Sequence, residues 1–259
     1  MNQPSVSIFY PCYNDWGTMG SMVLLTLRTA EQLGLDFDFT IIDDGSADHT
    51  QDLLDEIEGR FPQVQVLRHA NNRGYGGALR SGFASAAKEW IFYTDGDAQY
   101  DVRELQRLLE LAGPSVDVVQ GYKIQRHDPL HRVVIGRLYH WLVKLAFGLE
   151  LRDVDCDFRL IRRSVFDTVE LTRDSGVICA EMMTKIQRAG FRIVEVPVHH
   201  YQRAHGTSQF FNFSRVARVA LQLTDLWYRE VFLHAIKRRA AAPADEHGPR
   251  SAADCDPLR

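Results

Sequence analysis

Residues 90–99 read WIFYTDGDAQ, an apolar run followed at once by two carboxylates and a carboxamide. Such a run, bounded by turn residues, is typical of a buried β-strand. Side chains alternate along an extended chain, so Asp95 and Asp97 point to the same side. Oxygen ligands of this kind suit Mg²⁺ or Mn²⁺. Taken alone, however, the motif is more typical of an ordinary solvated turn, because Asp and Gly are common turn residues.

The chain on either side of this stretch alternates strand and helix patterns. Strands are predicted at 6–10, 37–42, 64–67, 90–94, 116–120, 157–162 and 191–198, and helices at 18–33, 47–60, 76–87, 130–148 and 179–189. We expect Asp48 to cap the second helix, and Pro197 to close the last strand. Strands separated by helices form a parallel sheet covered on both faces. The sequence therefore predicts an α/β fold with a Rossmann-like, mainly parallel sheet.

Polar motifs follow three of the predicted strands. They read PCYND at 11–15, DDGS at 43–46 and DGD at 95–97. Ligands of parallel sheets bind beyond the carboxyl ends of the strands, so we expect the chemistry at one edge. A fourth motif, NNRGYGG at 71–77, precedes a helix. Its glycines either let backbone amides approach a phosphate or form a plain tight turn.

Composition excludes several classes of protein. The 259 residues are 45% hydrophobic and 25% charged, and the net charge of −4 gives no reason to expect nucleic acid. The four cysteines are far apart, which argues against a zinc site or a disulfide framework. The best candidates for a membrane span, 130–151 and 213–239, are interrupted by charges. We expect a cytoplasmic, reduced protein.

Two polar stretches in the second half leave alternatives open. Residues 153–159 read DVDCDFR, whose acids either are inert or supply a general base or hold an arginine. Residues 195–209 read EVPVHHYQRAHGTSQ, and we reject a zinc site at its histidines because no metal-ligand spacing is present. Arg203 in that stretch better suits a mobile loop that binds phosphate.

The segments 130–151 and 213–239 are amphipathic, with basic stripes and aromatic residues. They are either ordinary surface helices or peripheral docking segments for an anionic bilayer, and we favour the second interpretation slightly. Residues 240–259 are predicted to be a disordered tail.

In this order, the motifs resemble family 2 glycosyltransferases of the GT-A fold, and within that family the dolichol- or polyprenyl-phosphate hexose synthases. The resemblance covers about residues 5–210. It rests on eight motifs: Pro11-x-Tyr13-Asn14-Asp15, Asp43-Asp44-Gly45-Ser46, Asn72-x-Gly74-x-Gly76-Gly77-Ala78, Asp95-x-Asp97-x-Gln99, Gly121-Tyr122-Lys123, Asp155-Cys156-x-Phe158-Arg159, Glu195-Val196-Pro197 and Arg203-x-x-Gly206-x-Ser208. It implies a GT-A domain at 1–210 and an amphipathic helical segment at 211–239.

The resemblance also implies the site residues. The nucleotide would be held by Pro11, Tyr13, Asp15, Asp44, Arg73, Gly74 and Asp95. Mg²⁺ or Mn²⁺ would be held by Asp95, Asp97 and Gln99. The acceptor phosphate would be bound by Lys123, Arg132, Arg203 and Ser208. The expected catalytic residues are Asp97 and, as bases for a hydroxyl acceptor, Asp157 and Glu181.

Four departures from the family pattern are visible. Asp15 stands where the family usually has Glu, Asp157 where Gly is common, and Gln209 where Lys is frequent. The C-terminal transmembrane helices of some relatives are not seen, which leaves membrane contact to the amphipathic segments.

The activity implied is an inverting, metal-dependent transfer of a hexose from a nucleotide sugar, GDP-mannose or UDP-glucose, to a polyprenyl or dolichyl phosphate. The expected location is the cytoplasmic membrane face. One alternative is a family 2 enzyme that acts on a hydroxyl acceptor in cell-surface glycan synthesis. Further alternatives are a nucleotidyltransferase and a non-catalytic nucleotide-sugar sensor.

Overall fold

The computed structural model describes residues 4–124, 141–203 and 213–233. Seven strands form one sheet in the order β3-β2-β1-β4-β6-β5-β7. The strands are β1 (Ser5–Cys12), β2 (Asp36–Asp43), β3 (Val64–Arg68), β4 (Trp90–Thr94), β5 (Val118–Ile124), β6 (Phe158–Arg162) and β7 (Ile193–His199). The helices are α1 (Trp16–Gln32), α2 (Thr50–Arg60), α3 (Gly74–Ser85), α4 (Leu105–Leu111), α5 (residues 141–147), α6 (Val177–Arg188) and α7 (Phe213–Trp227), the last continued by a π-helical turn, Tyr228–Leu233.

Strand direction places the carboxyl ends of the first strands together. β1 pairs in parallel with both β2 and β4, and its register sets Cys12 beside Asp43. β6 runs antiparallel between β4 and β5, whereas β7 is parallel to β5. The predicted α/β fold with a mainly parallel sheet is therefore confirmed, with one antiparallel strand that the sequence pattern did not indicate.

Helices cover both faces of the sheet, as expected. Alternate residues of each strand contribute to opposite faces, for example Ile8 to one hydrophobic cluster and Phe9 to the other. The first cluster includes Met19 of α1, Leu54 of α2 and Leu105 of α4. The second includes Leu79 of α3, Phe147 of α5, Ile178 of α6 and Leu226 of α7. The described parts of the two amphipathic segments, α5 and α7, thus contribute buried side chains to this second cluster.

Two local expectations differ from the structure. The second helix begins at Thr50, and the Asp48 carboxylate accepts the N–H of Thr50 at 2.9 Å instead of capping a helix that starts at 47. β7 continues past Pro197 to His199. It does so because β7 is an edge strand, where a residue without an N–H leaves the pairing with β5 intact.

Across the described ranges, none of the helices combines the length and the apolarity that crossing a bilayer would require.

Candidate active site

The loops after β1 and β2 are tied to each other at the carboxyl edge of the sheet. The Asp44 N–H donates to the Cys12 carbonyl at 2.9 Å. The Asn14 N–H donates to Ser46 Oγ, and the Ala47 N–H donates to Asn14 Oδ1, both at 3.0 Å. Asn14 adopts a positive φ of 57°, a conformation that Asn tolerates. The motifs at 11–15 and 43–46 therefore form one continuous wall.

The Asp-Gly-Asp turn after β4 packs directly against this wall. Thr18 Oγ1 donates to the Gly96 carbonyl at 2.7 Å. A Cβ on Gly96 would lie 2.9 Å from the carbonyl oxygen of Pro11 and 2.7 Å from the Met19 side chain. Only glycine fits there, and the close approach fixes the two flanking carboxylates beside the end of β1.

Three carboxylates crowd together at this edge. Burial, and next the charges of Asp157 and Asp97, raise the pKa of Asp95 well above its ordinary value. Burial also raises the pKa of Asp97, although the charge of Arg203 opposes it. These shifts mean that the ionised carboxylates are incompletely compensated by the protein's own cations.

Each of the two turn carboxylates has one side-chain partner among the described residues. Tyr75 donates its hydroxyl to Asp95 Oδ1 at 2.7 Å. Arg203 donates Nη2 to Asp97 Oδ2 at 2.6 Å, while the Gln99 N–H donates to Asp97 Oδ1 at 3.1 Å. The predicted acceptor-binding Arg203 thus lies directly against a predicted metal ligand. Gln99 itself donates Nε2 to the Tyr201 carbonyl at 3.0 Å, which ties the turn to the chain after β7.

Asp157 is held by a fully buried arginine. Arg159, on β6, donates Nη1 to Asp157 Oδ1 at 2.6 Å, and its side chain has no exposed surface. The same carboxylate oxygen accepts from Cys179 Sγ at 3.1 Å and from the Tyr93 hydroxyl at 3.3 Å. Arg159 also donates to Gln120 Oε1, to the Val154 carbonyl and to Tyr93.

Lys123 lies beside the acid-rich loop before β6. Its Nζ donates to the Asp155 carbonyl at 2.6 Å. Burial lowers the pKa of Lys123, but the neighbouring carboxylates, Asp153 foremost, outweigh burial and raise it. Burial raises the pKa of Asp155 to about 6, despite the charge of Lys123. The predicted phosphate-binding lysine therefore remains charged in a pocket of acids.

The predicted nucleotide-binding residues gather around the ends of β1 and β2. The Tyr13 ring is 41% exposed, and burial raises the pKa of Asp15. The Arg73 N–H donates to Asp44 Oδ1 at 2.8 Å, so the glycine-rich turn meets the wall described above.

The glycines of that turn have a role that neither alternative, a phosphate site or a plain tight turn, had included. A Cβ on Gly74 or Gly76 would lie 2.3 or 2.2 Å from the carbonyl oxygens of Asp174 and Arg173. The Gly76 N–H donates to the Asp174 carbonyl at 2.9 Å and is therefore already bonded within the protein. The close approach of this loop, more directly than any phosphate, requires glycine at both positions.

Glu181, a predicted base, lies behind this loop. Its buried carboxylate accepts from the N–H groups of Thr172 and Arg173, the Thr172 hydroxyl, and Lys185 Nζ at 2.8 Å. Although burial acts in the opposite direction, these hydrogen bonds lower its pKa. The contacts of Glu181 are those of a loop anchor, and the structure does not place it with Asp95 and Asp97.

The remaining sequence-based candidates are divided. Arg132 and Ser208, like Gln209 and His205, lie outside the described residues. His199 pairs through Nδ1 with Glu104 Oε1 at 2.8 Å. No group of three or more His, Cys, Asp or Glu side chains suited to a metal occurs within residues 4–124, 141–203 and 213–233. Asp95 and Asp97 would accordingly share a metal with oxygen atoms from a ligand, as Mg²⁺ and Mn²⁺ commonly do.

Two residues that orient this site were not predicted, Tyr75 and His69, the latter of which bonds to Asp44 Oδ1 at 2.7 Å. For residues 153–159, the alternative in which the acids hold an arginine is the one observed, since Asp157 pairs with Arg159. Tyr75 and His69 bond to partners that are 20 and 25 residues away in the sequence, and no local sequence pattern indicates such pairs.

Comparisons with known proteins agree with this arrangement. The chain is 28% identical over 207 residues to an undecaprenyl-phosphate 4-deoxy-4-formamido-L-arabinose transferase of Edwardsiella ictaluri, and 27% identical over 220 residues to one of Enterobacter sp.. These alignments cover 79% and 84% of this chain, but only 62% and 66% of the relatives. The chain thus spans less than two thirds of their length.

Solved structures share the fold. Glucosyl-3-phosphoglycerate synthase from Mycobacterium tuberculosis, in complex with Mn²⁺, UDP and phosphoglyceric acid, matches with a TM-score of 0.66 at 16% identity, over 88% of this chain and 78% of that one. A mannosyltransferase from Pyrobaculum calidifontis, in complex with GDP-Man and Mn²⁺, matches with a TM-score of 0.63 at 18% identity, over 92% and 65%. The expected GT-A fold is confirmed.

The family model described as glycosyl transferase family 2 matches residues 7–170, which hold most of β1, all of β2 to β6, and the carboxylates of Asp44, Asp95, Asp97 and Asp157. That match extends over more than half of the sequence, and the chain belongs to glycosyl transferase family 2.

Proposed function

We propose that this protein transfers a sugar from a nucleoside diphosphate sugar to a polyprenyl phosphate with the help of a divalent cation. The observation that carries the proposal is the crowding of Asp95, Asp97 and Asp157 at the carboxyl edge of the sheet, with raised pKa values at the first two. Burial, and after it the neighbouring negative charges, disfavour the ionised forms of Asp95 and Asp97. A bound cation would offset this cost, and the oxygens of these two carboxylates suit Mg²⁺ or Mn²⁺.

The wall formed by residues 11–15 and 43–46 would hold the nucleoside. Tyr13 offers an exposed ring, and Asp44 offers a carboxylate fixed by the Arg73 N–H and the His69 ring. Beyond the end of β4, Asp95 and Asp97 would face the diphosphate through the cation. That cation would neutralise the charge that develops on the departing nucleoside diphosphate. The complexes of the structural neighbours with Mn²⁺ and UDP or GDP-Man support this assignment.

The kind of acceptor is inferred from the hydrogen bonds of the candidate catalytic base Asp157. Asp157 Oδ1 already accepts three hydrogen bonds, one of them from a buried guanidinium. An oxygen that accepts from three protein donors is occupied and poorly placed to take a proton from a hydroxyl acceptor. A phosphate acceptor needs no base, because it is ionised at neutral pH and requires only positioning. Lys123 and Arg203 would supply that positioning, and the acceptor named for the sequence relatives is undecaprenyl phosphate.

The surface of α5 and of the segment 213–233 supports a lipid acceptor. Among the described residues, twelve large apolar side chains are exposed. Three of them lie in α5 and four in 213–233: Trp141, Leu142, Leu145, Leu221, Trp227, Tyr228 and Phe232. We assign these two segments to peripheral contact with a membrane, because a polyprenyl chain reaches the protein from a bilayer.

The decisive experiment compares two acceptors that differ only in the phosphate. Purified protein is incubated with labelled UDP-glucose or GDP-mannose, Mn²⁺, and either undecaprenyl phosphate or undecaprenol. We expect organic-extractable label with the phosphate alone, and none when EDTA is present. Transfer to undecaprenol or to a soluble alcohol, but never to the phosphate, would refute the proposal. Pyrophosphate release from a nucleoside triphosphate would instead indicate a nucleotidyltransferase.

One observation favours the hydroxyl-acceptor alternative. Asp155, with a pKa of about 6, is poised between its two protonation states near neutral pH, as a general base should be. If undecaprenol served as acceptor, Asp155→Asn should abolish that transfer. If the phosphate serves as acceptor, the same variant should retain most of its activity.

The membrane assignment has a matched control. Leu145→Glu and Leu221→Glu, both in the exposed apolar surface, should reduce sedimentation with vesicles that contain anionic lipid. Leu24→Glu changes a side chain that is 50% exposed on α1 and should leave sedimentation unchanged. Equal loss in all three variants would show that the effect of charge is general.

A further inference from the structure

A buried chain of hydrogen bonds leads from α3 to the carboxylate at the end of β2. His69, directly after β3, contacts Asp44 Oδ1 through Nδ1 at 2.7 Å and Ser81 Oγ through Nε2 at 2.8 Å. The side chains of His69 and Asp44 are only 1% and 4% exposed. None of the sequence motifs discussed above includes His69 or Ser81.

The chemistry of the partners sets the direction of these bonds. An ionised Asp44 can only accept, so His69 donates from Nδ1, and in the neutral ring Nε2 accepts from the Ser81 hydroxyl. The same atoms form the relay of serine hydrolases, but Ser81 lies inside α3. Backbone N–H groups within a helix are already bonded, so no oxyanion site would accompany this serine. The chain of bonds therefore orients Asp44 and does not activate Ser81.

As a result, one oxygen of the Asp44 carboxylate is already occupied by hydrogen bonds within the protein. Oδ1 accepts both the His69 ring and the Arg73 N–H, the latter at 2.8 Å. The backbone is fixed as well, since the N–H of Asp44 donates to Cys12 and the N–H of His69 donates to Asp43. The carboxylate plane cannot turn without breaking these bonds. Within the part of the chain that the structure describes, Oδ2 accepts no hydrogen bond and is the oxygen left to accept from a ligand.

One accepting oxygen suits some nucleobases better than others. Uracil presents a single imide N–H between two carbonyls, whereas guanine presents two adjacent donors, N1–H and N2–H, which pair with both oxygens of a carboxylate. We propose that His69 is a positioning residue that restricts Asp44 to one accepting oxygen and thereby selects a uracil-type base over guanine. This inference rests on the proposed function, in which Asp44 contacts the base of the sugar donor.

Binding of UDP and GDP to the full chain, measured by calorimetry with Mn²⁺, tests the proposal without turnover. The native protein should bind UDP at least about tenfold more tightly than GDP, the effect of one well-placed hydrogen bond to a charged group. His69→Leu should lower the affinity for UDP by about tenfold and the affinity for GDP far less, so that the preference for UDP is lost. His69→Asn keeps an N–H near the position of Nδ1 and should retain the preference.

A merely structural role for His69 predicts a different result. His69→Leu would then lower the melting temperature and leave the ratio of UDP to GDP affinity unchanged, which would overturn the proposal. If that variant does not fold, the native protein still decides, because GDP bound as tightly as UDP would overturn this inference alone. Binding of neither nucleotide would overturn the proposed function together with it.

Discussion

Replacing Arg159 by Met should cost about 3–5 kcal/mol of the free energy of unfolding, the usual effect of removing one member of a buried ion pair. The side chain has no exposed surface, and the variant would lose its bonds to Asp157, Gln120, Tyr93 and Val154. Most of the cost arises because Asp157 loses its buried partner beside Asp95.

The double variant Arg159→Met with Asp157→Asn separates charge from packing. It removes both members of the pair, so we expect it to recover at least about 1 kcal/mol of the loss, as coupled neighbours do. Urea unfolding, followed by far-UV circular dichroism at pH 7, gives the free energies of unfolding of the native protein, the two single variants and the double variant. The comparison requires that the slope of the free energy against urea concentration is the same in all four. A single variant that costs less than about 1 kcal/mol, or a double variant with fully additive losses, would refute the reasoning.

Three further predictions follow from the site. Asp97→Asn should abolish Mn²⁺-dependent transfer, whereas Asp36→Asn, at the opposite end of β2, should not; equal activity of both would exclude Asp97 as a ligand. Because the pKa of Asp155 is raised from 3.8 to about 6, ionisation of this carboxyl opposes folding. The free energy of unfolding therefore falls as the pH rises from about 4 to 6. The free energy of unfolding of Asp155→Asn should therefore rise, relative to that of the native protein, by up to ~3 kcal/mol across that window. Urea titrations at several pH values measure this, and a difference that does not change with pH would contradict the prediction. Gly76→Ala should cost about 1–3 kcal/mol because its Cβ would meet the Arg173 carbonyl. Gly59→Ala, whose added Cβ would meet open space on α2, should stabilise the protein by about 0.5–1 kcal/mol. Melting temperatures compare the two variants, and a shift in the same direction for both would contradict this prediction.

The strands and their polar ends could be predicted because both signals are local. An apolar run that ends in Asp-Gly-Asp is visible within ten residues, and parallel pairing then brings the ends of β1, β2 and β4 to one edge. The direction of β6 could not be predicted in the same way. A buried strand shows the same apolar run in either orientation, and direction is set by the connections around it.

The roles of particular side chains were predicted less well than their positions. Glu181 was a reasonable candidate base from its type, but its oxygens accept hydrogen bonds from Thr172 and Arg173, in the loop that precedes its helix. For Gly74 and Gly76 the sequence left open a phosphate site or a plain tight turn, and neither alternative included the segment about 100 residues away that these glycines admit. Hydrogen bonds and close contacts of this range leave no periodic trace in a sequence.

The position of β6 also has a consequence for how the chain acquires its structure. β1 to β4 are joined by short βα units and can assemble as the ribosome releases them. β5 is synthesised next, yet its neighbours in the sheet are β6 and β7, so it must wait at least 34 residues for β6 to be made and to pair with β4. At elongation rates of about 5–20 residues per second this wait lasts seconds, during which the apolar face and edge of β5 are open to wrong partners. Arg159 lies on that late strand, and its replacement should slow the completion of the sheet as well as loosen it.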